Sequence, residues 1–234
     1  MYEEDLDAKT PPDETIIWRY MSLDKYIDLL YRKELFLCRL DKLIDPWEGS
    51  WSKQEIEESP YKEDDLKGPD GLIQEFKRWS FINCWHINKH ESAAMWDLYS
   101  SRNAGIAIKT TIGKLKDSLK EDSKRLHIGE IQYVDNYDDN IEQSRDLNYL
   151  TMLGPVFKKR QSFIHENEVR LVFWTTERTS FSYAKVDLGK IIDRIYLSPT
   201  MEDWLVESIK GISEKFNIKS NLFEKSDLYS QYVY

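Results

Sequence analysis

The sequence predicts an α+β fold, with a bent, mostly antiparallel, split sheet flanked by helices. Three observations predict it. Short runs rich in β-branched and aromatic residues outnumber the amphipathic helical stretches. Strands and helices do not alternate regularly, which argues against a doubly wound parallel sheet. The 234 residues, 41% hydrophobic and 32% charged, suffice to bury a core.

The elements follow in order. Residues 1–14 are acidic and end in Pro11-Pro12-Asp13, and read as a disordered lead. Residues 15–21 (TIIWRYM) form an apolar strand carrying one charge, Arg19. Ser22 caps a helix with Leu23, Tyr26, Ile27 and Leu30 on one face, and residues 34–40 return as a strand. Residues 41–52 are a turn-rich loop containing Asp45-Pro46-Trp47-Glu48-Gly49. Residues 53–70 interleave Glu, Asp and Lys and form a polar insertion.

A helix over 71–79 leads into a strand over 80–85 (SFINCW). A helix over 91–101, a buried strand over 105–109, a helix over 111–121 and a strand over 126–134 follow. Residues 135–150 are acidic and irregular, and 147–162 read as helix with a break at Gly154-Pro155. Strands are predicted over 166–174, 182–187 and 191–197. Thr200 and Asp203 suggest a capping box opening a helix over 201–216, and 218–224 adds an edge strand. With no clear linker, residues 15–234 are expected to be one domain.

Composition narrows the function. The net charge is −9, so a uniformly basic footprint is absent and nucleic acid is not favoured as a partner, with a local basic patch left open. Cys38 and Cys84 sit in apolar runs, as buried free thiols do in a reducing compartment. Neither they nor the four His show metal-ligand spacing, so no metal is expected. No apolar run reaches the ~18 residues of a membrane span, and the acidic start is unlike a signal peptide, so a cytoplasmic protein is expected.

The charge-bearing strand stands out. In Glu166-Asn-Glu-Val-Arg-Leu-Val-Phe-Trp174, Val169, Leu171 and Phe173 form an apolar face. A period of two places Glu166, Glu168 and Arg170 on the other, ~6.6 Å apart in sequence order. Two close carboxylates can raise one pKa, as a general base or ribose acceptor requires. A solvated sheet face with a Glu–Arg pair explains the pattern as well. Arg19, beside Trp18 and Tyr20, either clamps a phosphate or carboxylate or lays its stem on the rings. Asp45 and Glu48 either ligate a divalent cation or cap backbone N–H groups. Lys158-Lys159-Arg160 either meets phosphates or forms a basic helix C-terminus.

Taken in order, several motifs resemble the bacterial family called domain of unknown function 2971. They are Trp18-Arg19-Tyr20, Asp45-Pro-Trp-Glu-Gly49, Cys84, Met95-Trp96-Asp97-Leu98-Tyr99, Gly105-Ile-Ala-Ile108, Lys159 and Glu166-Asn-Glu168-Val-Arg170. Leu43-Ile44 and Trp85-His86 depart from the family's usual Phe-Asn and Phe-Ser. A remoter likeness is to ADP-ribosyltransferase-like folds, which order an Arg strand, a Ser- or Tyr-bearing strand and a late Glu strand in this way. That likeness implies NAD as a substrate. Arg19, with Tyr20, Ser80 and Trp96, would bind the dinucleotide. Glu168 would bond the ribose hydroxyl and stabilise an oxocarbenium-like transition state, and Glu166 would orient an acceptor.

Three functions are therefore weighed. One is an NAD-utilising transferase or glycohydrolase. Another is a non-catalytic module with an aromatic-lined ligand pocket. The third is a Mg²⁺-dependent phosphodiesterase or nuclease built on Asp45, Glu48, Glu166 and Glu168.

Overall fold

A computed structural model describes residues 9–57, 59, 61–100, 103–135 and 154–230. Its strands are β1 Ile16–Ser22, β2 Glu34–Arg39, β3 Ser80–Ile87, β4 Gly105–Thr111, β5 Leu126–Glu130, β6 Gln132–Val134, β7 Lys158–Arg160, β8 Glu168–Trp174, β9 Phe181–Lys185, β10 Arg194–Leu197 and β11 Phe223–Lys225. Its α-helices are α1 Leu23–Arg32, α2 Lys53–Glu57, α3 Glu63–Leu66, α4 Leu72–Trp79, α5 Ala93–Tyr99, α6 Ile112–Ser118, α7 Leu188–Ile191 and α8 Asp203–Glu214. The fold is α+β and its sheet pairing mostly antiparallel; β10·β11 and β6·β7 are parallel.

Contacts group the chain into two compact units, each drawn from three separated segments. The first contains residues 1–11, 36–84 and 123–183; the second contains 12–35, 85–122 and 184–234.

In the first unit, β8 lies between β3 and β5, and β2 pairs with β3 on its other side. Val169, Leu171 and Val172 of β8 are fully buried. Each such side chain contributes about 1.5–3 kcal/mol by leaving water. Leu40, Phe76, Ile82, Val156 and Phe157 close on Val172 to make this unit's core. The insertion around 53–70 carries α2 and α3, and Leu66 at its end is fully buried.

In the second unit, β4 runs between β1 and β10, with Arg19 opposite Ile108 and Tyr20 opposite Ala107. Its GIAI stretch is buried throughout, as a strand covered on both faces must be. Helix α1 buries Tyr26, Leu29 and Leu30, and the Tyr26 hydroxyl meets that of Ser213 on α8 at 2.9 Å.

Four expectations change. The helix over 147–162 lies partly outside the described residues; its remainder is a 3-10 turn (Gly154–Phe157), β7 and a second 3-10 turn (Gln161–Glu166). Pro155 has no N–H for a helical bond, and β7 takes a strand partner in β6. The strand over 126–134 divides at Ile131, whose N–H donates to the Glu168 carbonyl at 2.8 Å. The helix expected from Met201 begins at Asp203, with Glu202 at its N-cap position, and the Thr200 and Ser198 hydroxyls lie 3.3 Å apart. The lead over 1–14 lies outside the described residues up to position 8. At 9–10, the Lys9 carbonyl accepts from Glu130 N–H, and the Thr10 hydroxyl donates to the Ile128 carbonyl.

Candidate functional site

The charged strand is shorter than the periodicity suggests. Strand β8 begins at Glu168, and Glu166 closes the preceding 3-10 turn. Asn167 between them is left-handed (φ 36°), a conformation Asn tolerates better than most side chains. The two glutamates therefore do not share a strand face. They meet nonetheless, on the ammonium of Lys159, at 2.6 Å from Glu166 and 3.1 Å from Glu168.

Lys159 is placed by backbone pairing. It sits in β7 opposite Tyr133 of β6, and the Tyr133 hydroxyl accepts from Glu168 N–H at 2.9 Å. Neighbours on the strand take other partners: Lys158 meets Glu55, and Arg160 grips Asp45 with two N–H groups at 2.9 and 3.1 Å. The basic triplet is thus not a helix end. Each of its members meets a carboxylate.

The Asp45–Gly49 loop supplies the rest. Asp45 accepts from Trp47 N–H, the capping use, and also holds Arg160. Glu48 lies 3.4 Å from Lys159 and bonds the Arg170 guanidinium. Gly49 makes the turn at φ +70°, where a Cβ would overlap the Leu40 side chain. Arg170 also donates to Glu168 at 2.7 Å and to the Val156 carbonyl at 2.6 Å.

The result is a buried network of Glu48, Lys159, Glu166, Glu168 and Arg170, each 7% exposed or less. The Glu–Arg pair of the alternative reading is present, but its solvated face is not: Arg170 has no exposed surface. Ions out of water cost several kcal/mol each, so they persist only where partners and hydrogen bonds compensate. Burial alone would raise the Glu168 pKa. The Arg170 guanidinium, then Lys159, outweigh it and, with the Cys84 thiol donating a hydrogen bond, hold it at about 2. A raised carboxylate pKa is therefore not what Glu168 has. Burial also works against the charge on Lys159, yet Glu168 and Glu48 raise it well above the usual lysine range.

The other expected site residues are placed as follows. Ser80 is fully buried and its hydroxyl donates to the Phe76 carbonyl at 2.9 Å. Tyr20 and Trp96, in the second unit, meet edge to face with ring centres 5.1 Å apart. The Tyr20 hydroxyl accepts from Ser92 N–H, and the Trp96 indole donates to Glu91, both at 2.8 Å. Both rings belong to a core cluster with Trp18 and Met95. Arg19 is half-buried in β1 of that unit. The structure thus joins Glu166 with Glu168, and Tyr20 with Trp96. Sequence reasoning joins Glu48 to the late glutamates only as ligands of a divalent cation and does not join Lys159 to them; the matching excess of charge in apolar surroundings was the signal. Among the described residues, no group of three or more His, Cys, Asp or Glu is arranged to hold a metal, and no helix is long and apolar enough to cross a membrane.

Residues 95–171 match the family model described as Protein of unknown function (DUF2971). The resemblance read from the motifs is borne out over that stretch. The DUF2971 match contains Lys159, Glu166, Glu168 and Arg170, and ends one residue after Arg170. No curated protein matches the chain. The chain is also similar to a solved structure described as Thermus sp. 2.9 DarT in complex with ADP-ribosylated ssDNA. The identity is 10% and the TM-score 0.42, over 93% of this chain and 100% of that one. Net charge is a poor guide to nucleic-acid contact here, because a whole-chain sum of −9 says nothing of where individual arginines gather.

Proposed function

We propose that this protein uses NAD as a substrate, transferring its ADP-ribose to an acceptor or to water. The observation that carries the reading is the state of Glu168: a buried carboxylate kept ionised by its neighbours. With a pKa of about 2 it neither gives nor takes a proton near neutrality. Its use is as fixed negative charge and as hydrogen-bond acceptor. Glu168 holds that charge between Arg170 and Lys159, in a network it shares with Glu48 and Glu166. A preorganised negative charge in a nearly dry setting suits a glycosidic bond that breaks through an oxocarbenium-like cation. The motif order that resembles ADP-ribosyltransferase-like folds supports the same reading, with Arg19 as the phosphate contact.

A second reading has its own observation. Both Glu168 oxygens already accept hydrogen bonds, from Arg170 and Lys159. A packed, satisfied network is also what a non-catalytic ligand-binding module would keep for structure.

Nicotinamide release from NAD, with and without a cell extract as acceptor, separates the two. Release by the wild type, falling about 100-fold or more in Glu168→Gln, is expected. A thermal melt of Glu168→Gln shows whether that loss is one of folding. In Arg19→Gln, a raised KM with kcat retained is the expected result. NAD binding without release favours the module. Neither binding by calorimetry nor release overturns the proposal.

A further inference from the structure

A cleft of about 230 Å³ in the first unit is lined by Arg39, Glu75, Arg78, Trp79 and Arg178. It shares none of its lining with the glutamate network. In a chain of net charge −9, three guanidiniums here face one lining carboxylate.

The arginines are held to different degrees. Arg39 is pinned: two of its N–H groups go to Asp41, at 2.6 and 3.1 Å, and one to the Thr179 carbonyl at 2.9 Å. Arg78 bonds Glu75 and donates to the Pro69 carbonyl at 3.0 Å. Arg178 is 87% exposed and reaches Glu75 only at 3.7 Å. An exposed pair at that distance contributes little and separates readily. Glu75 thus stands between two guanidiniums, where an anion from outside would find both. Guanidinium forks match phosphate oxygens in shape and charge.

Trp79 adds a flat wall. Its ring meets Trp174 edge to face at 5.9 Å, and the buried Trp174 indole N–H has no hydrogen-bond partner among the described residues. An indole face beside converging arginines suits a ligand that carries a phosphate next to a flat ring.

We infer that this cleft binds the phosphate of a nucleotide, with Arg39, Arg78 and Arg178 on the phosphate and Trp79 against the base. The inference does not rest on NAD turnover or on Glu168. The nucleotide is either free or part of a single strand, and the two share this chemistry.

Tryptophan fluorescence titrations of the full chain with AMP, adenosine, inorganic phosphate and an oligothymidylate of about eight nucleotides test it. AMP is expected to bind and phosphate to compete with it, while adenosine is expected not to bind. Arg178→Glu, at an exposed position, should weaken AMP about tenfold or more. Glu75→Gln should tighten it, a gain that a merely structural role for the ion pair would not give. Trp79→Leu should weaken AMP but leave phosphate affinity unchanged. Oligothymidylate binding with the same dependence on Arg178, in the absence of AMP binding, assigns the site to a strand. Binding of neither nucleotide at millimolar concentration, or affinities unmoved by Arg178→Glu and Glu75→Gln, overturns the inference.

Discussion

At the scale of the residue, Glu168 couples burial to acid sensitivity. Its folded-state pKa, about 2, lies below the ordinary 4.5. The folded protein therefore holds this proton more weakly than the unfolded chain does. The stabilisation is complete above about pH 4.5 and is lost as the pH falls toward 2. Urea unfolding across that window should show wild-type stability dropping more steeply than that of Glu168→Gln. Parallel curves would remove Glu168 as the source. The strand itself was legible: Val169, Leu171 and Phe173 alternate as a core face. The charged residues beside them were not. A hydropathy pattern reads the same for a charge in water and for a charge buried against a partner. The partners of Glu168 and Arg170 lie at 159 and at 48; the Mg²⁺ reading brings Glu48 to the late glutamates as a fellow ligand, and not as the ion-pair partner of Arg170.

At the scale of the element, the junction before β8 is decided by one backbone conformation. Asn167 at φ 36° ends the 3-10 turn and starts the strand, and so brings Glu166 and Glu168 onto one ammonium. A β-branched side chain is strained there. Asn167→Val should cost about 1–2 kcal/mol more than Asn167→Gly, which keeps the left-handed φ without strain; chemical denaturation measures both. Equal losses would show that the Asn side chain, not φ, sets the junction. The sequence offered an unbroken strand from 166 because Glu-Asn-Glu fits a period of two as well as it fits a turn. Elsewhere the opening strand–helix–strand unit was readable nearly to the residue, since α1 and its flanking strands have clear, different periods. Residues 154–162 depart from the helical expectation because Pro155 sits in a 3-10 turn and the segment after it pairs with β6.

At the scale of the molecule, the first unit begins with residues that guard an edge. Strand β5 pairs with β8 on one side, and on the other Lys9 and Thr10 bond Glu130 and Ile128. Exposed edges invite pairing with another chain. Deleting residues 1–11 should lower the melting temperature and raise light scattering at high concentration. A deletion that stays monodisperse would show that β5 needs no cover.

The network around Lys159 also makes a chemical clock. Acylating reagents attack the neutral amine, and burial pushes the Lys77 ammonium toward that form while carboxylates hold Lys159 away from it. Both lysines are 5% exposed. Timed acetylation followed by peptide mass mapping should therefore mark Lys77 well before Lys159. The lag of Lys159 would measure how rarely the five-charge knot comes undone, one event at a time, while the rest of the protein stays folded.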